Sequence, residues 1–287
     1  MSRIKVIECP RDAMQGVKKW IPTKNKISYI QSLLNVGFDV LDVGSFVSKR
    51  SIPQMKDSRK VLESLDLSST ASKLLYIVAN LRGALEACVY PEIDFLGFPF
   101  SVSENFQMRN TNKTINQSLE ELKKIISVCK SNDKEVVVYL SMGFGNPYGD
   151  EWNYEVLEKW ISVIKSIGVK TISISDTIGV ANPKNIDIVF KNSIKKFHDI
   201  EFGAHFHTKP SDWFEKIDSA YKAGCRRFDT TIQGYGGCPM AADELTGNFP
   251  TEKLITYMNQ IKVNININSL NFESSYNETT KFFSDYN

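Results

Sequence analysis

The stretch Ile200-Glu201-Phe202-Gly203-Ala204-His205-Phe206-His207 decides how the chain is read. Ile200 to Phe206 is an apolar run with strand character. Pro183 to Phe197 before it and Trp213 to Ala223 after it carry the 3.6-residue period of amphipathic helices. A strand flanked by helices is one unit of a βα repeat. Its period of two also puts His205 and His207 on one face, where two imidazoles can grip one cation.

The same unit recurs in both directions. Strands are predicted over Ile4 to Cys9, Val40 to Val43, Leu74 to Val78, Ile93 to Phe98, Val136 to Leu140, Thr171 to Ile174, Ile200 to Phe206 and Arg226 to Thr230. Helices are predicted over Lys24 to Val36, Gln54 to Leu65, Leu81 to Val89, Ile115 to Lys130, Asn153 to Ile167, Pro183 to Phe197, Trp213 to Ala223 and Thr251 to Ile261. Asn182-Pro183 reads as a helix start, and Gly37, Gly168 and Gly224 read as helix ends. Eight such units in 287 residues predict an α/β fold, a (β/α)8 TIM barrel over residues 1–262 with a short C-terminal extension over 263–287. The extension is rich in Asn and Ser up to a short Thr279 to Tyr286 segment, a composition compatible with either a cover on the barrel or a frayed end. The alternative, a doubly wound open sheet, lacks a GxGxxG turn after the first strand.

A barrel of this kind works at the C-terminal ends of its strands. Arg11-Asp12 follows the first predicted strand, Asp42 ends the second, Asn80 follows the third and Asp176-Thr177 the sixth. His205 and His207 end the seventh, and Cys238 follows the eighth within Gly234-Tyr235-Gly236-Gly237-Cys238-Pro239-Met240. All of these polar groups fall at one face.

Composition narrows the chemistry. Lys and Arg number 35 against 33 Asp and Glu, and the charges are interspersed, which gives no electrostatic case for a nucleic-acid partner. The five cysteines are odd in number, widely spaced and without a CxxC, against both a disulfide framework and a zinc ribbon. No apolar run reaches the roughly 18 to 20 residues that span a bilayer. The first strand begins close to Met1, and Ser284-Asp285-Tyr286-Asn287 is not a peroxisomal signal, so a reducing cytoplasm is the expected compartment.

Asp12, His205 and His207, with an amide oxygen from Asn248, make a mixed nitrogen and oxygen ligand set suited to Mg²⁺ or Mn²⁺. Thr246-Gly247-Asn248 reads equally as a turn, and Asp12 has the alternative of a turn carboxylate. Arg11 either pairs with Glu8 or Asp42 or offers a permanent charge to an enolate or thioester oxygen. Asp176 is either a helix cap or a hydrogen-bonding support. Cys238, beside three glycines and a proline, is the one cysteine outside an apolar strand or helix pattern, and it reads as a proton-transfer group. His198, beside Asp199 at a helix end, reads as a surface or capping residue.

These residues resemble the 3-hydroxy-3-methylglutaryl-CoA lyase family, metal-dependent TIM-barrel lyases related to the isopropylmalate synthases. The resemblance rests on Pro10-Arg11-Asp12 with Gln15, Ser45-Phe46-Val47-Ser48, Pro53-Gln54-Met55, Asp176-Thr177-Ile178-Gly179-Val180, His205-x-His207, Gly234-x-Gly236-Gly237-Cys238-Pro239, and Gly247-Asn248 with Thr251-Glu252. It covers about residues 4 to 260, and the GxGGCP and SFVS/PQM stretches are its most specific parts. It implies that Asp12, His205, His207 and Asn248 hold a divalent cation, that Arg11 stabilises an enolate and that Cys238 is the acid. Glu8, Asp42, Asp176 and Glu252 would be supporting groups, and Lys18, Lys19, Lys49 and Arg50 candidate phosphate contacts. The expected partners are an acyl-CoA thioester substrate and a second copy of the chain as a homodimer, with no nucleic acid and no membrane. Three positions depart from the family's pattern: Ala13 for glycine, Asp42 for glutamate, and Thr208-Lys209-Pro210 where Asp-Thr-Tyr-Gly follows the second histidine. An acetyl-CoA-dependent condensing enzyme and a catalytically silent acyl-CoA-binding barrel are the competing readings. The cysteine of GxGGCP speaks against the first, because a condensing enzyme removes a methyl proton rather than delivering one.

Overall fold

The computed structural model describes residues 3–237 and 246–286. Eight parallel strands form the centre: β1 Lys5–Glu8, β2 Val40–Ser45, β3 Lys73–Ile77, β4 Ile93–Ser101, β5 Glu135–Ser141, β6 Thr171–Asp176, β7 Glu201–Thr208 and β8 Arg227–Thr230. Each pairs with its sequence neighbours, and β1 also pairs with β8, so the ring closes without a free edge. This is the expected (β/α)8 barrel. A two-residue strand, β9 Gly247–Asn248, runs antiparallel to the end of β7 and pairs His207 with Asn248.

Alternation along the strands sorts the apolar side chains into two layers. Leu74 and Tyr76 of β3 join the large core under the helices, whereas Leu75 and Ile77 join a small cluster inside the ring with Ile7, Val40, Val137 and Tyr139. The expected helix ends hold at Gly168 and Gly224, which adopt φ of +101° and +103°, a backbone region costly for any residue with a Cβ.

Local differences have local causes. Gln54 to Leu65, read as one helix, is a 3-10 turn Pro53–Met55 followed by a short helix Ser58–Leu62. Two helices were not legible as separate elements: Pro10–Gln15, too short for a periodic signal, and Glu104–Thr111, capped by Ser103. The extension contains a 16-residue helix, Ser269–Ser284, whose N-terminus is capped by Asn268. Its Ser275, Thr279 and Phe283 are buried at helical spacing, and Phe282 and Phe283 pack on Tyr29. The small polar residues on that buried face conceal the helix from a hydrophobic-pattern reading. Among the described residues no helix is long and apolar enough to cross a membrane.

Candidate active site

The site begins with Pro10. A proline suits the first position of a helix, because its missing N–H would have no intrahelical partner there. The helix Pro10–Gln15 therefore starts immediately after β1 and keeps Arg11 and Asp12 at the barrel mouth, both buried. Arg11 grips Asp42, which lies inside β2 rather than at its end as expected: Nε and Nη2 donate to Asp42 Oδ2 at 3.0 and 2.5 Å. Its Nη1 donates to Asp12 Oδ1 at 2.9 Å and to Gln15 Oε1 at 2.8 Å. Of the pairings open to Arg11, the one with Asp42 forms, although Asp42 is one methylene shorter than the family's glutamate. Burial pushes the Asp42 carboxyl up to about 6 against the pull of Arg11.

Asp12 faces the two histidines across the mouth. One ligand atom from each of Asp12, His205 and His207 lies within 4.8 Å of the others. Burial raises the Asp12 carboxyl, but Arg11, both histidines and Asn248 outweigh it and hold it below the usual carboxylate range. The histidines diverge. Burial lowers both, yet His205 Nδ1 sits 3.2 Å from Asp229 Oδ2, and that carboxylate brings His205 back above its ordinary value. His207 stays lowered by burial and by His205, and its Nδ1 donates to the Asp176 carbonyl at 2.9 Å. That hydrogen bond leaves the Nε2 lone pair available to a cation.

Pairing between β7 and β9 brings Asn248 into the same cluster. Its Nδ2 donates to Asp12 Oδ2 at 2.7 Å and to the Tyr235 carbonyl at 2.9 Å, while its Oδ1 is buried without a hydrogen-bond partner. An orphaned amide oxygen beside two imidazoles and a carboxylate is the donor set of a divalent cation, and these residues fit one. Thr208 does not prevent the arrangement, since it pairs with Gly247 in β9. Gly236 is required by close approach: a Cβ there would lie 2.5 Å from the Asp12 carbonyl and 2.8 Å from Ala13 Cα.

The other expected residues brace this cluster. Buried Glu8 accepts from Ile232 N at 2.8 Å and Thr251 Oγ1 at 2.6 Å, and burial pushes its carboxyl up to about 8. Glu252 accepts from Gln233 N at 3.0 Å and so supports that residue's left-handed backbone, φ +60°. Asp176 turns its carboxylate to Ala181 N and Lys216 Nζ and meets His207 through its main-chain carbonyl. Cys238 lies outside the described residues. His198 is exposed, as expected. Lys18, Lys19, Lys49 and Arg50 are exposed and do not line the cavity, whereas Lys113 does.

Asp229 and Tyr139 were also missed. Asp229 is the carboxylate that holds His205, and it also accepts from Ser173 Oγ at 2.6 Å. The period of two along β8 would have placed it inside the ring. Tyr139 packs edge-on against His205 with ring centroids 5.5 Å apart. It sat in a predicted strand with nothing to mark its face as the working one.

These groups open into a cavity of about 880 Å³ at the C-terminal ends of the strands, room enough for an extended organic ligand. Arg11, Asp12, His205 and His207 form its polar wall, with Val47, Tyr139 and Phe283 among the apolar groups.

Residues 4–277 match the family model described as HMGL-like. The hydroxymethylglutaryl-CoA lyase YngG of Bacillus subtilis strain 168 is 29% identical over 260 residues, covering 90% of this chain and 85% of that one. The crystal structure of the Bacillus subtilis HMG-CoA lyase superposes with a TM-score of 0.91 at 27% identity, over 98% of this chain and 94% of that one. An HMG-CoA lyase from Acinetobacter baumannii, in complex with coenzyme A and 3-methylmalate, superposes with a TM-score of 0.90 at 26% identity, over 98% and 92% of the two chains.

Proposed function

Because this chain belongs to the HMGL-like family, we propose that it is a carbon–carbon lyase cleaving 3-hydroxy-3-methylglutaryl-CoA to acetyl-CoA and acetoacetate. The observation that carries this reading is the convergence of Arg11, Asp12, His205 and His207 on one cavity with the unpartnered Asn248 oxygen beside them. Asp12, His205, His207 and Asn248 would hold the divalent cation, Mg²⁺ or Mn²⁺. Such an ion, when bound, lowers the pKa of the substrate's tertiary hydroxyl.

The remaining chemistry belongs to the chain. The hydroxyl proton passes to Asp12, the carboxylate beside Arg11. Collapse of the alkoxide to a ketone breaks the carbon–carbon bond, which frees acetoacetate and leaves the enolate of acetyl-CoA. Arg11, pinned by Asp42 and Asp12, presents a fixed positive charge to the enolate oxygen as it develops. Cys238 delivers the proton that turns the enolate into the methyl group of acetyl-CoA. Glu8, Asp42, Asp176 and Glu252 act through the groups they hold. The four cysteines among the described residues are free thiols, in keeping with a reducing cytoplasm.

The test is a coupled assay for acetyl-CoA formation from 3-hydroxy-3-methylglutaryl-CoA, run with Mg²⁺, with Mn²⁺ and with EDTA. Product that depends on added metal is expected; none under any metal would reject the reading. Cys238→Ser should lower kcat at least 100-fold with metal content nearly unchanged, on the scale of losing one general acid. Unaltered turnover would remove Cys238 from the mechanism.

A further inference from the structure

Lys216 lies in the helix Trp213–Lys222 behind β7, and its side chain is 2% exposed. A buried ammonium needs partners for all three of its N–H groups. Lys216 Nζ donates to Asp176 Oδ2 at 2.8 Å, to the His207 carbonyl at 2.8 Å and to the Gly179 carbonyl at 3.1 Å, and Asp212 Oδ2 lies 3.3 Å away. Two of these partners, Asp176 and His207, are the residues joined by the hydrogen bond that orients the His207 imidazole. Lys216 thus holds the end of β6 through a side chain, the end of β7 through a carbonyl and the intervening turn at Gly179.

We propose that Lys216 is a positioning residue of the cation site, clamping both ends of the Asp176–His207 hydrogen bond so that His207 Nε2 is held toward the ligand cluster. The ammonium touches neither the cation nor the substrate. It acts by restricting the relative movement of two strand ends, on which the imidazole direction depends. Outer partners of this kind are worth about 10- to 100-fold in metal affinity when lost. The inference rests on the proposed cation site.

The experiment measures Mn²⁺ binding to the full-length, metal-stripped protein by the loss of the free Mn²⁺ EPR signal, for wild type, Lys216→Met and Lys216→Arg, with circular dichroism as the check on folding. Lys216→Met should bind Mn²⁺ about 10- to 100-fold more weakly, and saturating Mn²⁺ should restore much of its kcat. Lys216→Arg, which keeps the charge and donors, should recover part of the affinity. A role confined to stability would lower the melting temperature and leave Mn²⁺ affinity untouched, and that result in folded Lys216→Met overturns the proposal. Should Lys216→Met fail to fold, Lys216→Gln is read by the same criterion. A wild-type protein that binds no Mn²⁺ rejects the cation site itself, a failure distinct from equal binding by wild type and variant.

Discussion

Glu8 and Asp42 are both fully buried carboxylates on the adjacent strands β1 and β2, yet their surroundings differ in kind. Asp42 has a guanidinium against it; Glu8 has only hydroxyl and amide donors, with Glu252 adding a like charge. The folded protein therefore keeps the Glu8 proton up to about pH 8, whereas an unperturbed glutamate releases it near 4.5. Native protein binds more protons than unfolded chain in that window. The Glu8 contribution to stability is full below pH 4.5, is lost as pH rises toward 8, and is flat above. Glu8→Gln, able to accept from Ile232 N in the same place, should remove this slope, gaining on the order of a few kcal/mol over wild type at pH 8 and little at pH 4.5. Urea melts at several pH values are the check; parallel curves for the two proteins would refute it.

The working corner is assembled from elements that are individually weak. β9 has two residues and the helix bearing Arg11 and Asp12 has six, too few for either to hold its shape alone. The C-terminal helix adds support from outside the barrel: Phe283 stacks on Tyr235 with centroids 4.0 Å apart, and Tyr235 in turn accepts from Asn248 through its carbonyl. Phe283 also lines the cavity. Phe283→Ala should cost about 3 to 5 kcal/mol of stability, as for other buried aromatic truncations, and should also raise KM for the thioester. A Phe272→Ala control, on the same helix but outside the cavity lining, should leave KM unchanged. Thermal melts and initial rates separate the two effects, and an unchanged KM in folded Phe283→Ala would show that the helix supports the barrel without shaping the site.

For the molecule as a whole, the four candidate ligands come from positions 12, 205, 207 and 248 and meet because the parallel ring closes between β1 and β8. An ion bound by the folded chain and not by the unfolded one stabilises the fold. At a hundred times its Kd, Mn²⁺ should add about 2.7 kcal/mol, visible as a rise in melting temperature that Asp12→Asn largely abolishes; equal shifts in both proteins would place the ion elsewhere. The repeat of strands and helices, the single face of the polar residues and the His205-x-His207 pair were legible in the chain, because periodicity and spacing are local properties. So was the family resemblance, through contiguous motifs such as Pro10-Arg11-Asp12. Asp42 as the partner of Arg11, Asp229 behind His205 and Lys216 behind His207 were decided only in three dimensions. So was the docking of Phe283 on Tyr235. Each of these contacts joins residues on separate elements, and which buried charge neutralises which depends on barrel closure and on the angle at which a helix packs. A linear pattern of residue types carries neither quantity.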